Sequence, residues 1–108
     1  MEDKEIIDLY WARSQRAITE TDKKYGSFCH SIAYNILANR QDSEECVNDT
    51  YRRTWETIPP EAPSVLATYL GMLTRCIALD RYSAFARDFL RERGGREKGS
   101  GKTGGIWL

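Results

Sequence analysis

Histidine, cysteine and proline are scarce in this 108-residue chain, which has one, three and three of them, and its formal net charge is zero. The cysteines, Cys29, Cys46 and Cys76, are widely spaced and form no CxxC pair, which argues against a zinc site. Each lies on or near an apolar helical stripe, so we expect reduced, buried thiols. Zero net charge also argues against a molecule that binds polyanions over its whole surface.

Long hydrophobic runs are missing as well. No stretch approaches the length of a membrane span, and the acidic N-terminus, MEDKEIIDLYWARS, does not resemble a signal peptide. A chain of 108 residues builds one modest core. We therefore expect a soluble cytoplasmic protein with no membrane partner.

Strand signals are absent, because no alternating apolar pattern is followed by the turn residues of a hairpin. Apolar residues instead recur at helical spacing in four segments. This pattern predicts an all-α fold, a compact bundle of about four helices over residues 1–93. Pro59, Pro60 and Pro63 predict a stiff corner between the third and fourth helices.

Polar residues at the ends of these segments predict where the helices begin and end. Asp3 is the expected N-cap of the first helix, and Ser64 that of the fourth. Asp42 and Glu45 have the spacing of a capping box, which predicts that the third helix begins at Asp42. Asn39 is expected to close the second helix in the left-handed conformation.

The last residues, 94–108, differ in composition from the rest. Six glycines predict a flexible tail, and the apolar residues Ile106–Leu108 could dock on a neighbour. The tail contains Gly101-Lys102-Thr103, but the first glycine of a phosphate-binding loop would have to stand at Arg96. We therefore do not interpret it as a nucleotide site.

No arrangement of residues predicts catalysis. His30 directly follows Cys29 in a helical segment, where neighbouring side chains point about 100° apart, so the two do not form a dyad. Glu44 and Glu45 are expected to be solvated. We expect no enzymatic activity, no metal and no cofactor.

Charge is unevenly distributed along the chain. Residues 42–61 carry six acids and two arginines, whereas residues 75–108 carry eight bases and four acids. Opposite signs on two successive segments suggest two partners, one basic and one polyanionic.

Three segments carry a resemblance to a known family. DSEECVNDTYRRTWETIPP, residues 42–60, resembles the helix with which extracytoplasmic-function sigma factors dock on bacterial RNA polymerase. YLGMLTRCIALDRY, residues 69–82, resembles the following helix, which meets the promoter −10 element. AITETDKKYGSFCHSIAYNIL, residues 17–37, is similar to the helix that precedes both. The resemblance runs from about Asp3 to about Arg93.

The resemblance implies a protein-binding set and a nucleic-acid-binding set. Glu45, Asn48 and Asp49, with Arg52 one turn further, correspond to the residues that contact the arginine-bearing clamp coiled coil of the polymerase. The corner with Pro60 and Ser64 corresponds to the loop that holds a flipped-out base of the non-template strand. The remaining predicted DNA contacts are Arg75, Cys76, Arg81 and Tyr82 on the last helix.

The chain departs from the family pattern in two ways. Many members have asparagine where this chain has Cys76, which puts base readout there in question. The helix-turn-helix domain that reads the −35 element does not follow, so we interpret the chain either as a piece of a longer factor or as a truncated member. An anti-sigma factor is a further candidate partner.

Two alternatives remain open from the sequence. One is a truncated sigma-like interaction module without DNA-binding activity. The other is an unrelated helical bundle with an incidental charge asymmetry.

Overall fold

A computed structural model of the protein describes the backbone of residues 1–92 and the side chains of residues 1–89. Four α-helices and no strand occur in this part: α1 (Asp3–Trp11), α2 (Arg16–Leu37), α3 (Arg40–Thr57) and α4 (Leu66–Glu92). The predicted all-α bundle of about four helices is confirmed. The glycine-rich tail predicted for residues 94–108 lies outside the described residues. None of the four helices has an apolar stretch of the length that crossing a bilayer requires.

The core lies where α2, α3 and α4 pack against one another, with α1 closing one end against α2. Its buried apolar residues recur every three or four positions, as the helical pattern predicts. They are Ile6, Tyr10, Ala17, Cys29, Ala33, Cys46, Val47, Tyr51, Ile58, Leu66, Leu70 and Ala78.

Hydrogen bonds between helices fix the alignment of this core. The hydroxyl groups of Tyr10 and Thr21 lie 2.7 Å apart and join α1 to α2. Tyr51 on α3 donates to a carboxylate oxygen of Asp22 on α2 at 2.8 Å. A Cβ atom at Gly26 would lie 2.7 Å from that same oxygen, so the glycine leaves room for the contact. Burial and the bond to Asp22 both raise the pKa of Tyr51, which therefore stays protonated.

The helix boundaries correct four of the predictions. Helix α3 begins at Arg40, two residues before Asp42, because the Asn39 side chain accepts a hydrogen bond from the Asp42 amide at 2.8 Å. Asn39 thus caps α3, and Ala38 closes α2 in the left-handed conformation with a φ of 50°. Only Ala38 and Asn39 lie between the two helices. The Asn39 side chain therefore caps the start of α3, and Ala38 takes the left-handed conformation that ends α2.

The other two predictions, for the starts of α1 and α4, each differ from the structure by one residue. Asp3 is the first residue of α1 rather than its cap, and its carboxylate accepts from Lys24 and Tyr25 of α2 at 2.9 and 2.7 Å. Glu2 occupies the N-cap position instead, and its backbone N–H donates to the Glu5 carboxylate. Helix α4 begins at Leu66, so Ser64 lies one residue outside the cap position.

Candidate binding surfaces

Helix α3 presents one buried face and one solvent-exposed face. The buried face carries Ser43, Cys46, Val47, Thr50, Tyr51 and Thr54. The opposite side carries the four residues of the predicted protein-binding set, Glu45, Asn48, Asp49 and Arg52, at separations of three and four residues. We call these four residues the outer face of α3. Three of them are exposed, and Asp49 is half-buried.

Ion pairs arrange the acids of the outer face. Asp49 pairs with Arg52 one turn along the helix. Arg81 of α4 reaches the same acids, with nitrogen–oxygen distances of 3.2 Å to Glu45 and 3.4 Å to Asp49. The structure thus brings Arg81, predicted as a DNA contact, into the predicted protein-binding set.

A groove of about 550 Å³ lies beside the outer face, between α3 and the first turns of α2. Asn48 and Arg52 form part of one wall, so the polar outer face continues into a partly apolar slot. The groove therefore offers both polar and apolar surface to a side chain that enters it. The lining residues are Gln15, Ile18, Thr19, Asn48, Tyr51, Arg52 and Trp55.

The corner after α3 is held by an arginine that sequence reasoning missed. Arg13 donates to the backbone carbonyls of Trp55 and Ile58, both at 2.9 Å, and stacks on the Trp55 ring at 3.8 Å. A cation that binds the last carbonyl groups of a helix also complements its dipole. Trp55 is half-buried and packs against the core. Pro60 and Ser64, the predicted base-binding residues, are both exposed.

The predicted DNA residues of α4 do not share one face. Arg75 and Tyr82 are seven residues, or about two turns, apart and project from the same side. Arg81 is rotated about 100° from Tyr82 and contacts α3. Cys76 is exposed, which corrects the expectation that all three cysteines are buried, whereas Cys29 and Cys46 are buried. Burial raises the pKa of Cys46 to about 11, so that thiol is unreactive at neutral pH.

Helix α4 also exposes two phenylalanines that sequence reasoning passed over. Phe85 is 69% exposed and Phe89 is 51% exposed. With Tyr82 they are spaced three and four residues apart, a pattern that could have shown from the sequence that they share one side of α4. Aromatic side chains beyond Arg81 therefore extend the same side of the helix as Arg75 and Tyr82.

No family model matches this chain, and no curated protein or solved structure matches it.

Proposed function

We propose that this chain is a sigma-factor-like domain in bacterial transcription initiation. In this proposal the outer face of α3 docks on the clamp coiled coil of RNA polymerase. The corner residues Pro60 and Ser64, the side of α4 with Arg75 and Tyr82, and the neighbouring Cys76 bind the non-template strand of the −10 element and help to melt it. Such a protein works in the cytoplasm and needs neither a cofactor nor catalysis.

The exposed outer face of α3 is the observation that carries this proposal. Glu45 and Asn48 face solvent at helical spacing, and neither lies on the side of the helix that forms the core. Two carboxylates and an amide in this arrangement suit an arginine-bearing helical partner, since arginine donates several hydrogen bonds to such groups. The adjoining groove can receive an apolar side chain of that partner.

The nucleic-acid part of the proposal is supported by the corner and by α4. The Arg13 contacts hold the end of α3, so the exposed corner needs little ordering when a ligand binds. Arg75 is exposed and can bind a phosphate, and Tyr82, two turns further, offers an aromatic ring for stacking. Together they form a line of about 10 Å along α4.

A second candidate function is an interaction module that does not bind DNA. Arg81 is paired with Glu45 and Asp49, and the exposed Cys76 is a weak substitute for an amide that reads a base. Both observations reduce the number of nucleic-acid contacts that α4 can supply. Such a module would still occupy the polymerase clamp through the outer face of α3.

Polymerase docking is tested by measuring the affinity of the full chain for core RNA polymerase. Glu45→Arg should weaken binding at least about tenfold, because it sets like charge against the arginines of the clamp. Glu44→Arg is the matched control, since it makes the same charge change at an exposed position beside the outer face. Equal effects of the two variants would reject docking through the outer face.

Binding to a single-stranded −10-like oligonucleotide separates the two candidate functions. The sigma-like proposal predicts binding at low salt that weakens as salt rises, and a loss of affinity in Arg75→Ala. Arg53→Ala, which removes an exposed arginine from α3, should have a smaller effect. No binding at low salt would leave the interaction module as the better interpretation.

A further inference from the structure

Four charges meet where α3 and α4 pack together. Glu45 and Asp49 carry negative charge, and Arg52 and Arg81 carry positive charge. The four charges cancel, so the acids of the outer face are already neutralised within the molecule. A basic partner that binds these acids must therefore compete with an arginine of the chain itself.

The two arginines differ in how they are held. The Arg52 side chain is 68% exposed and lies on the same helix as its partner, an arrangement that contributes little to stability. The Arg81 side chain is 33% exposed and reaches from another helix to two carboxylates. Its Nε atom is buried and has no hydrogen-bond partner among the described residues. Arg81 is thus the arginine that is partly withdrawn from solvent to neutralise the acids.

We propose that Arg81 is an internal competitor that couples the two binding surfaces of the chain. A basic partner that takes Glu45 and Asp49 displaces the Arg81 guanidinium, which then becomes available to a nucleic-acid phosphate beside α4. This inference rests on the proposed function, since it assigns a regulation to the same surfaces. By linkage, a phosphate that binds Arg81 strengthens the binding of the basic partner by the same factor.

The buried Nε atom is an argument for displacement rather than for a fixed support. An arginine that only positioned the two acids would be expected to use all its donors, because an unsatisfied buried donor costs free energy. Moving Arg81 outward exposes Nε to water or to a phosphate oxygen, and this offsets part of the cost of breaking the ion pairs. One third of the side chain is already exposed to solvent, with 33% of its surface accessible.

The first test measures binding of an arginine-rich helical peptide to the full chain at low salt. Arg81→Gln should tighten binding about fivefold, because it removes the competitor from two acids. Arg53→Gln removes the same charge at an exposed position of α3 and should tighten binding by less than about twofold. Chemical denaturation of each variant checks that the fold is retained.

Three results can be told apart in this test. Tighter binding in Arg81→Gln alone supports the competitor role. Binding that is unchanged or weaker in Arg81→Gln overturns it while leaving the docking surface intact. If the peptide binds no variant, both the docking surface and this inference are wrong.

The second test retains Arg81 and measures affinity for a single-stranded oligonucleotide. Asp49→Asn should loosen Arg81 by removing one of its two acidic partners, and it should tighten binding more than Glu44→Gln, which removes the same charge from an exposed position. The extra gain should disappear when Arg81→Gln is also present. An equal gain with and without Arg81 would mean that only the overall charge matters, and the inference would be wrong.

Discussion

The buried and outer faces of α3 differ in what determines their residues. On the buried face, Tyr51 donates to Asp22, Thr50 and Thr54 donate to carbonyls of their own helix, and Val47 packs in the core. On the outer face, Asn48 is exposed and the charged groups pair mainly with one another and with Arg81. The fold accounts for the first set of residues. For the second set we propose a partner outside the molecule.

This comparison predicts the largest loss of stability on the buried face. Tyr51→Ala should lower the free energy of unfolding by about 3–5 kcal/mol, because it leaves a cavity and an unpaired Asp22. Tyr51→Phe keeps the ring and should cost only about 1 kcal/mol for the lost hydrogen bond. Denaturation with urea gives both values. A cost for Tyr51→Ala near that of Tyr51→Phe would mean that the ring is not part of the core.

The corner that follows α3 should show an intermediate effect on stability. Arg13→Ala removes two hydrogen bonds to carbonyls and the stacking on Trp55, so we expect a loss of about 1–2 kcal/mol in unfolding free energy. Arg13→Lys keeps the charge but cannot reproduce the planar fork, and it should recover less than half of that loss. Urea denaturation measures the unfolding free energy of both variants. If Arg13→Lys were as stable as the unchanged chain, only the charge of Arg13 would matter.

The outer face should tolerate substitution without loss of stability. Asn48→Ala is expected to change the unfolding free energy by less than about 0.5 kcal/mol, because the side chain is exposed and alanine favours the helix. The same variant should weaken binding to core polymerase. A loss of several kcal/mol on urea unfolding would contradict the distinction between the two faces of α3.

The contact of Asp3 with α2 provides a small effect with a pH dependence. Burial raises the pKa of Asp3, but the hydrogen bonds from Lys24 and Tyr25 and the charge of Lys24 together lower it below its ordinary value. A carboxylate with a lowered pKa in the folded state stabilises the fold above its unfolded-state pKa. That contribution disappears as the pH falls through the folded-state value.

We therefore expect Asp3→Asn to lower the unfolding free energy at neutral pH by less than about 1 kcal/mol, since the contact is largely exposed. The difference from the unchanged chain should begin to shrink at about pH 4 and vanish only below the lowered folded-state pKa of Asp3. Thermal unfolding from neutral to acidic pH measures the stability difference between Asp3→Asn and the unchanged chain. Asp8→Asn, on the exposed side of α1, is the control. A difference that persists in strong acid would assign the effect to packing and not to charge.

Sequence periodicity was enough to predict the helices but not the contacts between them. Burial follows the helical repeat of the apolar residues, and Val47, Tyr51 and Thr54 lie on the buried side of α3. The cap of α3 was misassigned because Asn39 and Asp42 are both good capping residues, and only the position of the preceding turn distinguishes them.

The candidate surfaces were predicted less completely for a related reason. Glu45, Asn48 and Asp49 lie on one face of α3, as their spacing within a single helix predicts. The pairing of Arg81 with Glu45 and Asp49 depends on how α4 is aligned against α3, which no local pattern encodes. Arg13 was missed in the same way, since its contacts lie more than forty residues further along the chain.

Photo-crosslinking to core RNA polymerase is the most direct test of docking through α3. A photoreactive residue placed at position 48, on the outer face, should crosslink to the clamp coiled coil. The same residue at position 34, where the exposed Tyr34 of α2 stands, should not. Equal crosslinking from both positions, or crosslinking from position 34 alone, would contradict the assignment of the outer face as the polymerase-binding surface.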